Sequence, residues 1–108
     1  MENLSANLPI EEAAQGFAAI GSEARLQVLR TLVRAGAQGL TVGEIQERTG
    51  MAASTLAHHL RFLTSAGLVD QTKNGRSVCN RAVYARLEAL AGYILDECCT
   101  DLPKSQGN

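Results

Sequence analysis

The stretch Leu40–Val83, LTVGEIQERTGMAASTLAHHLRFLTSAGLVDQTKNGRSVCNRAV, decides the fold. Thr41 and Glu44 form a T-x-x-E capping box, in which each side chain satisfies a free backbone donor at the other's position. Val42 and Ile45 give the short helix that follows an apolar face as far as Gly50. A longer helix is predicted from about Ala52 to Ala66, because Leu56, Leu60 and Leu63 recur at helical spacing before Gly67 ends it. Leu68–Lys73 and Arg76–Val83 then read as two strands, since Asn74-Gly75 between them favours a two-residue hairpin turn.

Working outward, helix signals dominate. Pro9 stands where a first helical turn tolerates proline, and Ile10, Ala13, Ala14, Phe17 and Ile20 follow at helical spacing until Gly21. Ser22 is a good N-cap for a second helix with an apolar face of Leu26, Leu29, Leu32 and Val33, and Gly36 and Gly39 mark its exit. After the hairpin, Leu87, Leu90, Ala91, Ile94 and Leu95 form the stripe of a last helix predicted from about Arg86 to Cys99. The fold class is mainly α with a β-hairpin, in the order α-α-α-α-β-β-α. Without repeats or an internal linker, residues 1–108 read as one domain that ends in a flexible tail over 102–108.

With 108 residues, 45% of them apolar and only Phe17, Phe62, Tyr84 and Tyr93 aromatic, the chain supports a small aliphatic core. A domain of this size buries little surface alone, which favours a dimer. No charged amino-terminal region leads into an apolar run, and no run approaches the roughly 18 apolar residues that span a bilayer. That predicts a cytoplasmic protein with no membrane partner. Three cysteines, Cys79, Cys98 and Cys99, fit reduced thiols better than an even disulfide framework.

The net charge of -1 conceals an asymmetry. Arg48, Arg61, Lys73, Arg76, Arg81 and Arg86 face Asp70 alone between residues 48 and 86, whereas the segments on either side are acidic. A basic block between acidic arms points to a polyanion partner.

A short helix, a glycine turn, a longer helix, then Ala-Gly-Leu-Val into an Asn-Gly hairpin is the organisation of a winged helix-turn-helix. The quoted segments LTVGEIQERTGM, STLAHHLRFLTSAGLV and KNGRSV, with IGSEARLQVLRTLV before them, resemble the ArsR family of bacterial metalloregulatory repressors. The likeness covers roughly Phe17 to Cys99. It implies a homodimer held through the first and last helices (9–20 and 86–99), a helix-turn-helix at 41–66 and a wing at 68–83. Each recognition helix would enter a major groove of palindromic operator DNA, with half-sites about 10 base pairs apart or a multiple of that.

With its leucines facing the core, the recognition helix presents Ser54, Thr55, His58 and Arg61 to DNA, the residues near its amino end reaching base edges. The family often has Ser-Gln early in this helix, where Ala52 and Ala53 stand here. In the wing, Lys73 and Arg76 flank the Asn-Gly turn and project toward the backbone or minor groove. His58 and His59 diverge by about 100° on a helix, a poor chelate, so His59 reads as packing or capping near the helix and zinc is not expected.

The family resemblance implies inducer sites in different helices. The Cys-x-Cys of one arsenic site is absent, since Thr41-Val42-Gly43 occupies that place, and the last helix has no His for a zinc-type site. What remains resembles a variant in which a Cys-Cys pair ends the last helix, here Cys98 and Cys99, with no later Cys. Two thiolates hold a trivalent arsenical when a methyl or aryl substituent, or water, fills the third position, and soft thiolates suit such species. Cys98 also continues the apolar stripe from Ile94 and Leu95, the position of a small buried hydrophobe. Cys79 reads as packing.

The expected function is therefore a repressor with no constitutive cofactor, released from its operator when an organoarsenical or arsenite binds Cys98 and Cys99. Within the same fold, a thiol-based redox or persulfide sensor is the alternative. Asp96, Glu97 and Asp101 and the negative helix end are expected to raise the thiol pKa values, which disfavours it. From another class, the alternative is a winged-helix protein-interaction module. No carboxylate, His and nucleophile form a catalytic arrangement, so an enzyme is not expected.

Overall fold

In the computed structural model, residues 8–103 are described. α1 (Ile10–Ala19) and α2 (Glu23–Ala35) lead through a 3-10 turn (Gly36–Gln38) into a two-residue strand β1 (Leu40–Thr41), followed by α3 (Val42–Thr49) and α4 (Ala53–Ser65). The hairpin β2 (Val69–Asn74) and β3 (Ser77–Ala82) precedes α5 (Tyr84–Leu95). This is a winged helix-turn-helix, with β1 added to the expected order. The expected tail lies outside the described residues from 104 onward.

The local signals act as the sequence predicts. The Ser22 side chain accepts from the Arg25 N–H at the start of α2. Thr41 and Glu44 make both bonds of the capping box, Thr41 N–H to Glu44 Oε1 at 2.8 Å and Glu44 N–H to Thr41 Oγ1 at 3.2 Å. The Thr41 backbone N–H and then the Thr41 side chain, each hydrogen-bonded to the carboxylate, lead in holding the Glu44 carboxyl below the usual range. Gly50 closes α3 in the left-handed region, as a glycine C-cap should.

The core is built around α2, whose Val28 and Leu32 are fully buried, together with Ile45 of α3 and Leu56, Leu60 and Leu63 of α4. β1 closes one side of the sheet, which runs β1-β3-β2, all antiparallel. Asn80 of β3 is the one buried polar side chain among the described residues, and it stitches the three strands together. Its Nδ2 donates to the Leu40 carbonyl at 3.1 Å and its Oδ1 accepts from Gln71 Nε2 at 2.6 Å.

Four expectations are corrected. The hairpin register lies one residue along from the expected strands. Asn74 pairs with Ser77, so Gly75 and Arg76 form the turn, and Gly75 alone takes a positive φ of 66°. Glycine at the first central position is the pattern of a type II′ turn. The cause is Asn80: this register sets it opposite Gln71, which donates to its buried amide oxygen, whereas a turn at Asn74-Gly75 would set it opposite Val69 and take that partner away.

The apolar stripes of α1 and α2 are also displaced. α1 buries Ala13, Gly16 and Ala19 while Ile10 is exposed, and α2 buries Val28 in place of Leu26 and Val33. Small residues face inward on α1 because α5 approaches closely. A Cβ on Gly16 would stand 2.8 Å from Leu90 Cδ1. The Arg86 guanidinium, 2.9 Å from Glu12, closes the same contact.

Finally, α5 begins at Tyr84 and ends at Leu95, four residues before the expected end at Cys99. Beyond it the chain continues in tight turns, with Cys98 N–H to the Leu95 carbonyl and Leu102 N–H to the Cys99 carbonyl. Ile94 and Leu95 are exposed, so no packing supports a further helical turn, and Asp96 and Glu97 oppose the helix dipole there.

The turn into β1 generates a stability prediction. Gly36 and Gly39 both hold φ above 70°, but a Cβ at Gly36 meets nothing, whereas one at Gly39 would lie 2.6 Å from both the Asn80 carbonyl oxygen and Cys79 Sγ. Gly39→Ala is expected to cost more than about 1 kcal/mol beyond Gly36→Ala, because strain and collision add. Urea denaturation of the two variants checks it, and equal midpoints would contradict it.

Candidate nucleic-acid interface

Because α4 buries only the row Leu56, Leu60 and Leu63, its opposite side faces solvent. Ser54, Thr55, His58 and Arg61 are all exposed there. No side chain caps α4, so the amides of its first turn are open to an anion. Lys73 and Arg76 are exposed on the wing, with Arg76 in the turn itself.

The basic block divides into two groups. Arg81 donates to the Ala37 carbonyl and to Thr72 Oγ1 and lies 3.9 Å from Asp70, and Arg86 pairs with Glu12. Among the described residues, Arg48, Arg61, Lys73 and Arg76 pair with no carboxylate. The outward cations thus lie on the helix-turn-helix and the wing, while the inward ones fasten the sheet and α5.

The adjacent histidines separate as expected. His58 is exposed and its ring meets Phe62 edge-on at 5.0 Å. His59 turns inward, and its Nδ1 is buried with no hydrogen-bond partner among the described residues. Burial, then the nearby Arg25 and His58 charges, lowers the His59 pKa. Among the described residues no three His, Cys, Asp or Glu side chains group as a metal site.

Two residues near this face escaped the sequence reading. Phe62, next along α4 from Arg61, is 45% exposed. The Arg25 guanidinium stands 4.7 Å over its ring and donates to the carbonyls of Ala18 and Ala19 at the end of α1. The His58–Phe62 spacing of four was legible as a same-face pair; the reach of Arg25 from α2 was not.

The cysteines fall in two places. Cys79 is half-buried beside Gly39, and its thiol donates to the Gln38 carbonyl at 3.1 Å. Cys98 and Cys99 are exposed in the turns after α5, with their sulfurs 3.2 Å apart. This corrects the reading of Cys98 as a buried continuation of the helical stripe. Cys99 holds a left-handed φ of 66°, the one such residue besides glycine among those described. Its pKa is raised, by the hydrogen bond and then the charge of Cys98 and by slight desolvation; the expected carboxylates are not the cause.

With this geometry in place, comparison with known proteins is decisive. A family model for a helix-turn-helix domain matches residues 20–72. The chain is 36% identical over 64 residues to the uncharacterized HTH-type transcriptional regulator YceK of Bacillus subtilis, covering 59% of this chain and 63% of that protein. It is 35% identical over 96 residues to the HTH-type transcriptional regulator NmtR of Mycobacterium tuberculosis, covering 86% of this chain and 74% of NmtR. An ArsR-like transcriptional regulator from Rhodococcus sp. RHA1 superposes with a TM-score of 0.72 at 29% identity, over 85% of this chain and 83% of that one. Mb0332 of Mycobacterium bovis, described as a homodimeric winged helix-turn-helix DNA-binding domain and possible ArsR-family regulator, superposes with a TM-score of 0.65 at 30% identity, over 90% and 89% of the two chains. The chain belongs to the ArsR family of helix-turn-helix transcriptional regulators.

As an ArsR-family regulator the protein binds DNA, and the relatives it matches are named as regulators of transcription. Among the described residues no helix is long and apolar enough to cross a membrane.

His59 ties the recognition helix to pH. In the unfolded chain it takes up a proton near its ordinary value of 6.5, whereas the folded state resists protonation until a lower pH. Its contribution is therefore intact above pH 6.5 and is lost as the pH falls from there through the lowered folded value. Between pH 8 and pH 5.5 the unfolding free energy of the wild type is expected to fall more steeply than that of His59→Leu. Parallel pH profiles in urea titrations would exclude this role.

Proposed function

We propose that the protein is a homodimeric repressor that binds a palindromic operator and releases it when a trivalent arsenical bridges Cys98 and Cys99. The observation that carries this reading is the pair of exposed sulfurs 3.2 Å apart. On a regular helix adjacent side chains diverge by about 100°, but these two lie in the turn after α5 and converge. Bonds to soft ions run on the order of 2.3 Å, so one atom can reach both thiolates. A methyl or aryl group on arsenic supplies the third substituent that two thiolates leave open, and arsenite binds with water or hydroxide there. The 3.2 Å separation is far beyond the roughly 2 Å of a disulfide bond.

The raised Cys99 pKa favours capture over oxidation, because a redox thiol depends on its thiolate fraction. Capture exchanges two hydroxides of the arsenical for the two sulfurs, and the thiol protons leave with those hydroxides as water, so the exchange releases no net proton.

DNA contact is assigned to Ser54, Thr55 and His58 at base edges and to Arg61, Lys73 and Arg76 at phosphate or groove edges. Dimerisation is assigned to α1 and α5. They pack side by side through Gly16, Leu90, Glu12 and Arg86, and leave Ile10, Ile94 and Leu95 exposed for a second copy to cover. Since the thiol pair directly follows α5, a ligand that reshapes this turn acts on the dimer contact and hence on the spacing of the two recognition helices. Moving a population from mostly bound to mostly free takes a differential affinity on the order of 5 kcal/mol, within reach of two thiolate bonds.

Fluorescence anisotropy on the palindrome upstream of the protein's own gene, under reducing conditions, tests the assignment. Methylarsenite is expected to release DNA at concentrations at least tenfold below arsenite, and Cys98→Ser and Cys99→Ser to bind DNA but resist release. Equal potency of the two arsenicals would mean a third protein ligand. Full response in either serine variant would remove that residue from the site, and release by an oxidant or persulfide donor alone would favour the redox sensor.

A further inference from the structure

A cleft of about 510 Å³ opens between α1, α2 and the outward side of α4, separate from the thiol pair. Its walls are mostly apolar, formed by Ala18 and Ala19 of α1, Ala66 after α4 and the exposed face of Phe62. Among the described residues two cations border it, Arg25 and Arg61, and no carboxylate lines it. Its volume lies within the range of small-molecule sites.

The cationic wall is built in advance. Two nitrogens of Arg25 are held by the Ala18 and Ala19 carbonyls, and the guanidinium carbon stands 4.7 Å from the centroid of the Phe62 ring. Its Nη1 makes no hydrogen bond to the described residues, so the group presents an oriented donor at the edge of an apolar surface. A fixed donor costs a ligand less ordering than a free arginine does. Neither the core nor the assigned DNA contacts account for a phenylalanine ring left 45% exposed here.

We propose that this cleft is a second effector site that takes a small organic acid with a planar apolar body. The carboxylate meets Arg25 and Arg61, and the apolar body lies against Phe62 and the alanines. Because Arg61 and His58 line the cleft and also belong to the assigned DNA face, an occupied cleft competes with the operator. The competition rests on the DNA assignment above; ligand binding does not.

The test titrates the ¹⁵N-labelled full chain with naphthalene-2-carboxylate, using 2-naphthol and 2-naphthylmethylamine as neutral and cationic counterparts. Saturable shifts are expected at Ala18, Arg25, Phe62 and Ala66 with the carboxylate, at least tenfold weaker with the other two. Ala18→Trp, which fills the cleft from α1, is expected to abolish them, and the three-probe comparison in the unaltered protein stands whether or not that variant folds. In anisotropy, saturating carboxylate is expected to weaken operator binding at least fivefold in the wild type and not in Ala18→Trp. Absence of saturable shifts, equal response to all three probes, or unchanged shifts in a folded Ala18→Trp would overturn the site. Binding that leaves operator affinity intact would overturn its role as an effector site. Failure of the DNA reading would show separately, as no operator binding before any probe is added.

Discussion

The row Leu56, Leu60 and Leu63 is the constraint on which the rest of the molecule depends. A 13-residue helix offers little more than one stripe to a core, and these leucines, each no more than 2% exposed, commit α4 to a single rotation. They hold it against α2, α3 and β2 together. Turning α4 by a quarter would bury Ser54 or Arg61 without partners, at the cost of an unsatisfied polar group or charge. Core packing therefore decides which side chains can face DNA.

That constraint was legible in the sequence because it is local. The capping box at Thr41 and Glu44, the leucine spacing and the glycine stops act over three or four residues, and each appears where the sequence places it. Features set by distant partners were less legible. The hairpin register follows from Asn80, whose buried amide oxygen accepts from Gln71 on the facing strand, and the Asn74-Gly75 dipeptide alone pointed one residue away. The stripe on α1 was misjudged because Gly16, which periodicity treats as a break, is the seat for Leu90. The end of α5 fell short because a helix needs something to pack on, and none of its last apolar residues has that within the protomer.

The candidate site divides along the same line. Exposure of the four expected DNA-facing residues of α4 followed from burial of the opposite stripe, and that of Lys73 and Arg76 from their place at the hairpin tip. Arg25 and Phe62 were invisible because their meeting requires α1 to end beside α4. At the thiol pair, the sequence put both cysteines at the end of a helix, whereas they lie in the turn beyond it. The pair converges because the helix has already ended, and the raised Cys99 pKa comes from its neighbour's sulfur and not from the acidic residues around it.

In the proposed function α4 is the reader, the α1–α5 pair the dimer contact, and the thiol turn the input that acts on that contact. Hydroxyl-radical footprinting of the upstream palindrome, with and without methylarsenite, tests it most directly. The prediction is two protected backbone patches separated by about 10 base pairs or a multiple of that, both lost when methylarsenite is added. A single patch, or protection that persists under methylarsenite, would contradict it.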